Sequence, residues 1–462
     1  MPRTMTPADE RKTARPVFPP KAPTSSLILG GAGDFQRDTL GMLERLAALG
    51  DVVRFRFVIW PSYFVNHPDY IKHVLQENYH NYNKDGPSTT ALKSVVGVSL
   101  FTDDGDSWLR RRRLAQPAFH RQRIAALGAL MTSEAEAMLS RWDARPADAG
   151  PVDVAGEMMG LTLRIVGLAL FGADMSDEVN TVGASFTTIL DFLTRASFRP
   201  YLLMRGYPAR GKRAFHAARA ELDRLVYDII ARRRREGGER DDLLSLLLNA
   251  RDADSGESMN DQQLRNEVIS LLLAGHETTA VALTWIWSLL SRQPEAEARL
   301  HGEVAALGGR GADVSDLPRL PYTRMVIEEV MRLYPPAWAI LRNAVGPDQI
   351  GPYTVPAGTA VLISPYSIQR HPDYWERPNE FDPERFAPER EASRPRFAYL
   401  PFGGGPRQCI GNTFALTEAH IILATVAQRY RLCLDPDREA QASPLITLRP
   451  ESGLRMRLER RV

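Results

Sequence analysis

The stretch Phe402-Gly403-Gly404-Gly405-Pro406-Arg407-Gln408-Cys409-Ile410-Gly411 decides how this chain is read. It places one thiol at the end of a glycine- and proline-rich loop, directly before an amphipathic run from Asn412 to Cys433. A thiol at the start of a helix meets backbone N–H groups without helical partners and the positive end of the dipole. Both favour the thiolate, so Cys409 is a candidate metal ligand. Gly403, Gly404 and Gly405 permit a tight path with amides free to point at sulfur, and Pro406 stiffens the approach. Phe402 can lie against the sulfur and keep it dry. Gly411 leaves room for a flat ligand over the helix start, and Arg407 offers a fork suited to a carboxylate. A phosphate-binding loop would need a Lys followed by Ser or Thr, and neither is present.

Three further patterns stand out. Asp261 to Ser291 contains no proline and is dense in Leu, Val and Ala; as one helix it would run roughly 47 Å. Near its centre stands Ala274-Gly275-His276-Glu277-Thr278-Thr279. A mid-helix Gly costs about 1 kcal/mol relative to Ala, and a Thr pair competes for helix carbonyls. Such misfits in a well-formed helix mark a site. His276 has no second His four residues on, which argues against a zinc-protease helix. Glu329 and Arg332, three apart, share one helix face. Trp108 and Arg112, four apart, project from one helix side, and both are donors suited to a carboxylate.

These motifs together resemble those of the cytochrome P-450 family, and the resemblance runs from about Asp51 to the C-terminus. It implies a mainly α fold with a minor β portion and a long central helix over heme. Cys409 becomes the thiolate ligand of the iron of heme b, iron protoporphyrin IX. Ala274-Gly275-His276-Glu277-Thr278-Thr279 matches the family's oxygen-binding run. There Gly275 lets the helix approach the heme face, Thr278 donates a hydrogen bond to bound oxygen, and Glu277 helps carry protons inward. Trp108 and Arg112 match the element that grips a heme propionate, and Arg342 resembles a third propionate arginine. Glu329 and Arg332 match the Glu-x-x-Arg signature, joined by Arg385 of Pro383-Glu384-Arg385-Phe386; the trio is assigned to folding and heme insertion. The chain departs from the family at Gln369-Arg370, where a His-Arg pair is common, so no propionate role is read there. Pocket regions carried over from the family are Lys84 to Phe101, Phe186 to Tyr207 and Ala337 to Leu341, including Leu190, Phe192, Trp338 and Ile340.

The implied activity is NAD(P)H-dependent hydroxylation, with O2, of a lipophilic small molecule: a fatty acid, terpenoid, steroid or polyketide. No flavin or iron–sulfur module is seen in the sequence, so electrons are expected from a separate ferredoxin and ferredoxin reductase. Two other readings keep the thiolate: a peroxygenase or isomerase, whose known members usually lose the acid–threonine pair, and a non-enzymatic heme sensor, which needs an output module.

The 462 residues are 44% hydrophobic and 25% charged, which is ordinary globular material. Length alone suggests about three domains, but the resemblance implies a flexible Pro-rich segment 1–26 followed by one domain, 27–462. A net charge of +2 gives no global field for nucleic acid. Of the two Arg runs, Arg232–Arg235 reads as a solvated helix end, while Arg110, Arg111 and Arg113 read as a solvated or partner-facing surface. Two cysteines make no disulfide framework, which points to a reducing compartment, and Cys433 reads as a core residue. Met1 to Ser26 carries neither a transmembrane anchor nor a signal peptide, so a cytoplasmic location is expected. Alternation predicts a strand over Val53–Phe57, a break at Trp60-Pro61-Ser62, and a resumed strand at Tyr63–Val65. A short helix is expected from Pro68 through Leu75 and a strand over Ala360–Ile363. Further helices are expected near 120–142, 154–171, 213–235 and 412–431.

Overall fold

The structure, a computed structural model, describes residues 16–24, 30–58, 60–146, 148–175, 179–198, 202, 210–237, 242–251, 256, 258–435 and 440–461. Most of the segment 1–26, and much of the expected pocket region between Phe186 and Tyr207, lie outside the described residues. Helices dominate. Those that build the site are α1 (Pro87–Val96), α2 (Gly105–Ala115), α3 (Gly128–Asp143), α4 (Val154–Phe171), α5 (Val179–Phe198), α6 (Lys212–Glu236), α7 (Asp261–Leu290), α8 (Pro321–Leu333) and α9 (Asn412–Arg429). One mixed sheet orders β1 (Val52–Phe57), β2 (Trp60–Val65), β5 (Ala360–Ile363), β4 (Ile340–Ala344) and β3 (Tyr82–Asn83), side by side in that sequence. All its pairings are antiparallel except β2 with β5.

The central helix α7 is set by local chemistry. Asn260 caps it, accepting the Gln263 N–H at 2.9 Å while the Gln263 side chain accepts the Asn260 N–H at 2.9 Å. Both faces are apolar, which suits a helix buried on all sides. It packs on α4, α6, α8 and α9. At Gly275 a Cβ would lie 3.1 Å from Val166 Cγ2 of α4, so this glycine also lets α7 and α4 pack closely. Among the described residues two helices, α4 and α7, are long and apolar enough to cross a membrane, but 72% and 83% of their apolar windows are buried inside the protein. They are core helices.

Several local expectations are corrected. Trp60-Pro61 does not break the strand: Pro61 pairs with Arg56 in β2. It is tolerated because β5 joins β2 only from Ser62 onward, so no second ladder needs its missing N–H. The helix expected over 120–142 is divided at Leu127, and the one from Pro68 ends at Lys72, continuing as a π turn over His73–Glu77. Arg233 is not solvated. It is 5% exposed and donates to Asp242 Oδ1, Ser245 Oγ and Phe171 O. Cys433 is half-buried on a strand, Tyr430–Leu434, beside Arg457 of its antiparallel neighbour, not in the core.

Candidate functional site

The Cys409 loop is shaped by glycine where only glycine fits. Gly405 has φ +69°, and a Cβ there would sit 1.9 Å from the Leu75 carbonyl oxygen. The turn closes when Cys409 N–H donates to Phe402 O at 2.9 Å, and α9 begins three residues after the cysteine. Cys409 is exposed, with its thiol free. The surrounding chain keeps water from it and pushes the thiol up, while the Gly411 N–H and the Arg112 charge pull it down. Arg112 is fixed beside it by donating from Nη1 to Gln408 O at 2.7 Å.

On α7 the reverse pattern appears. Every residue from Leu264 to Ser288 is buried except three: Ala274 is exposed, and Gly275 and Thr278 are half-open. These occupy positions i, i+1 and i+4, one patch on one face. An open patch in the middle of a closed core helix marks a slot, and its width is set by small side chains. Thr278 donates from Oγ1 to Ala274 O at 2.8 Å, which leaves its lone pairs toward the slot side.

A cluster of cations forms the rim. Lys84 donates from Nζ to Phe101 O at 2.8 Å, Arg112 to Gln408 O, and Arg342 from Nη1 to Leu341 O at 2.8 Å. Their acceptors are backbone carbonyls, not carboxylates. Burial lowers Lys84 well below its ordinary range, and the facing Arg342 and Arg407 push it further down. Burial, with Arg407, lowers Arg342 to about 10. Arg407 is bound by Asp104, donates to Asp103 O at 2.9 Å, and lies 4.2 Å over the Trp108 ring. The Arg407 fork is thus partly held from within the chain, with N–H donors left for a further acceptor. The Trp108–Arg112 pair does not share one acceptor; Trp108 instead stacks on Arg407. Among the described residues, Asp104 and Asp103 are the acids that act on this cluster of basic side chains, which leaves it suited to further anionic charge.

Glu277 is 3% exposed and accepts from Thr447 Oγ1 at 2.7 Å. Burial raises its carboxyl, with the Thr447 hydroxyl and Arg449 acting against that. Sequence reading missed Thr447, which lies between two short strands distant in the chain. His276 is buried against Phe186, its Nδ1 2.6 Å from Leu272 O, and burial lowers it to about 4. It is a neutral core histidine.

The trio Glu329, Arg332 and Arg385 is assembled. Glu329 and Arg332 are fully buried and paired through two bonds of 2.7 Å, with Arg385 Nε at 3.4 Å from Glu329. Arg332 also donates to Gln369 O, Pro378 O and Glu380 O, tying α8 to the segment after β5. Gln369, the departure from the family pattern, donates to Met331 O and Arg332 O and is structural. Of the suggested pocket residues, Leu190 and Phe192 are core, Phe192 stacking on Phe215 at 4.4 Å. Trp338 packs on Phe35, while Ile340 lies beside Gly403.

An accessible thiol just before a helix, a small-residue patch on the central helix, and a carboxylate-seeking rim define a heme-thiolate fold. The family model for cytochrome P-450 matches residues 20–455, and the chain belongs to that family. Its members bind heme b and are oxygenases, and this protein is an enzyme of that class. It is similar to cyclooctatin synthase of Streptomyces melanosporofaciens, with 40% identity over 92% of this chain and 93% of the relative. Pentalenene oxygenase of Streptomyces avermitilis is 35% identical over 95% and 97% of the two chains. Cyclooctat-9-en-7-ol 5-monooxygenase of Streptomyces melanosporofaciens is 35% identical over 90% of each. In structure the chain matches the heme domain of cytochrome P-450DA with a TM-score of 0.86 and 26% identity, covering 97% of this chain and 98% of the other.

Proposed function

We propose that this protein hydroxylates a lipophilic terpenoid, using O2 and electrons from NAD(P)H passed on by a separate ferredoxin and ferredoxin reductase, in the cytoplasm. The observation that carries the reading is the pairing of the Cys409 loop with the open Ala274–Thr278 patch on an otherwise closed helix. The residues present fit heme b. Cys409 would ligate iron, Ala274 and Gly275 would lie along the ring, and Lys84, Arg112, Arg342 and Arg407 would meet the two propionates, with Trp108 backing Arg407. Phe402 and Gly411 flank the sulfur. When bound, the heme supplies oxygen activation assisted by electron donation from sulfur.

The chain's own residues do the rest. Burial shifts Glu277 toward its protonated form, against the Thr447 hydroxyl and Arg449, which suits it to pass a proton. Thr278, one residue on, donates from Oγ1 to the Ala274 carbonyl, and a χ1 rotation would turn that hydroxyl to the slot. A positioned donor of this kind contributes about 10²–10⁴-fold. The terpenoid assignment is supported by the three relatives named above and by exposed apolar side chains, Val98, Phe101 and Leu341, on segments that border the rim. Exposed Arg110 and Arg113 on α2 supply positive charge for an acidic iron–sulfur partner. The two cysteines are free, in keeping with a reducing compartment.

The test is turnover of a terpene hydrocarbon panel with NADPH and a surrogate ferredoxin pair, run beside peroxide alone. Hydroxylated terpene formed only with the electron-transfer pair is the expected result. Product from peroxide alone at an equal rate would favour a peroxygenase.

A further inference from the structure

Arg111 was expected at the surface, yet its side chain is 12% exposed and joins two acids. Its Nη1 donates to Glu267 Oε1 at 2.6 Å, and its Nε donates to Asp103 Oδ2 at 2.8 Å. Glu267 lies on α7 two turns, about 10 Å, before Ala274. It is 2% exposed, and its other oxygen accepts the Leu100 N–H at 3.0 Å. Its neighbours on α7 hold the same loop. Asn266 Nδ2 donates to Val98 O at 3.3 Å, and Ser99 Oγ donates to Ser270 Oγ at 3.1 Å. Gly97, with φ +66°, lets Asn266 in: a Cβ there would meet that side chain at 2.4 Å.

The far end of the same loop is tied to the Cys409 side. Asp103 O accepts from Arg407, and Asp104 accepts from Arg407 and from the Lys84 N–H at 3.0 Å. Segment 97–104 therefore spans the rim from the central helix to a residue two before the thiol. It carries two exposed apolar side chains, Val98 at 44% and Phe101 at 48%. Both Glu267 contacts go to this segment and to α2, the helix it leads into. The carboxylate thus holds the loop rather than the core. A buried ion pair adds little stability compared with apolar packing. Its suitability lies elsewhere: separated partners find each other again in one geometry.

We infer that Glu267 is a positioning residue that latches segment 97–104 across the rim, so that bulky ligands enter only when its contacts to Leu100 and Arg111 open. The inference rests on the family reading of the site. The probes are 4-phenylimidazole and carbon monoxide, followed by stopped-flow absorbance on purified holoenzyme. Glu267→Gln and Arg111→Gln should each raise the 4-phenylimidazole association rate about tenfold, the effect of ~1.4 kcal/mol, while the carbon monoxide rate changes less than about twofold. The double variant should be no faster than either single variant, because one latch is broken in all three. An unchanged 4-phenylimidazole rate, or gains that multiply in the double variant, would overturn the latch. Failure of the family reading looks different: the unaltered protein would give no azole difference spectrum at all. If a variant loses heme, hydrogen exchange on its full chain still decides. Loss of protection confined to 97–104 and α2 supports the latch; unchanged protection there, or loss spread over α3 and α4, contradicts it.

Discussion

Two buried carboxyls differ in what surrounds them. Glu277 has the Thr447 hydroxyl and a nearby Arg449, whereas both oxygens of Glu418 on α9 are buried without a hydrogen bond of ordinary length. Burial raises both, Glu418 well above its ordinary range, with only the Thr279 hydroxyl acting against it. An acid raised on folding binds more protons native than unfolded, so stability falls as pH climbs from the ordinary carboxylate range through the native value. Glu418→Gln should therefore melt higher than the unaltered protein at pH 8, with the gap closing toward pH 5; scanning calorimetry across that range checks it, and a gap that widens on acidification would reverse the sign. At Glu277 the same upward shift supports the proposed role in proton delivery. Glu277→Gln and Thr278→Ala should retain substrate binding but lose coupling, with NADPH consumption outrunning product by about tenfold or more. Coupling equal to that of the unaltered protein, measured as product per NADPH, would remove the proton-delivery role. The Cys409 loop stands out in the sequence by its glycines and proline before a helix, and the Glu277–Thr278 stretch by a glycine and a threonine pair inside one. Thr447 does not: it reaches Glu277 from a distant segment, and nothing in its immediate sequence departs from a common loop; Lys84 was expected only as the edge of a pocket region, not as a rim cation.

At the scale of elements, propensity gave the long helices and missed what tertiary contacts decide. The central helix stood within one residue of its expected end because proline is absent and Asn260 caps it. Pro61 misled, since its cost depends on whether a second strand lies alongside, and β5 begins only at Ser62. Arg111 and Arg233 misled for a related reason: an Arg run reads as solvated until acids from other elements arrive. Glu329–Arg332 ran the other way: its spacing alone reads as a surface pair, and the family resemblance implied the buried network with Arg385, which joins α8 to the segments leading to the Cys409 loop. Removing one partner of such a pair costs about 3–5 kcal/mol. Glu329→Ala should accordingly yield mostly heme-free or insoluble chain, read as the ratio of Soret to protein absorbance. Full heme loading in that variant would mean the trio does not hold the segment.

For the whole molecule, the fold is mostly helical with one five-stranded mixed sheet, and Cys409 stands in the loop that leads into α9. The sequence carried the family through one loop and one helix, whereas the closing of the rim by segment 97–104 appears only in three dimensions. Electrostatics ties these parts together. Cations from Lys84, α2, β4 and the Cys409 loop converge on one edge with Asp104 as their close acid, and an incoming dianion would complete them. Everything proposed for this protein depends on the sulfur of Cys409 binding iron as thiolate. The most direct test is the absorbance difference spectrum of the dithionite-reduced, carbon monoxide-bound protein beside that of Cys409→Ser. The account predicts a red-shifted thiolate-type Soret band in the unaltered protein that vanishes in the variant. A band that persists with serine at that position, or an unaltered chain that takes up no heme, would contradict it.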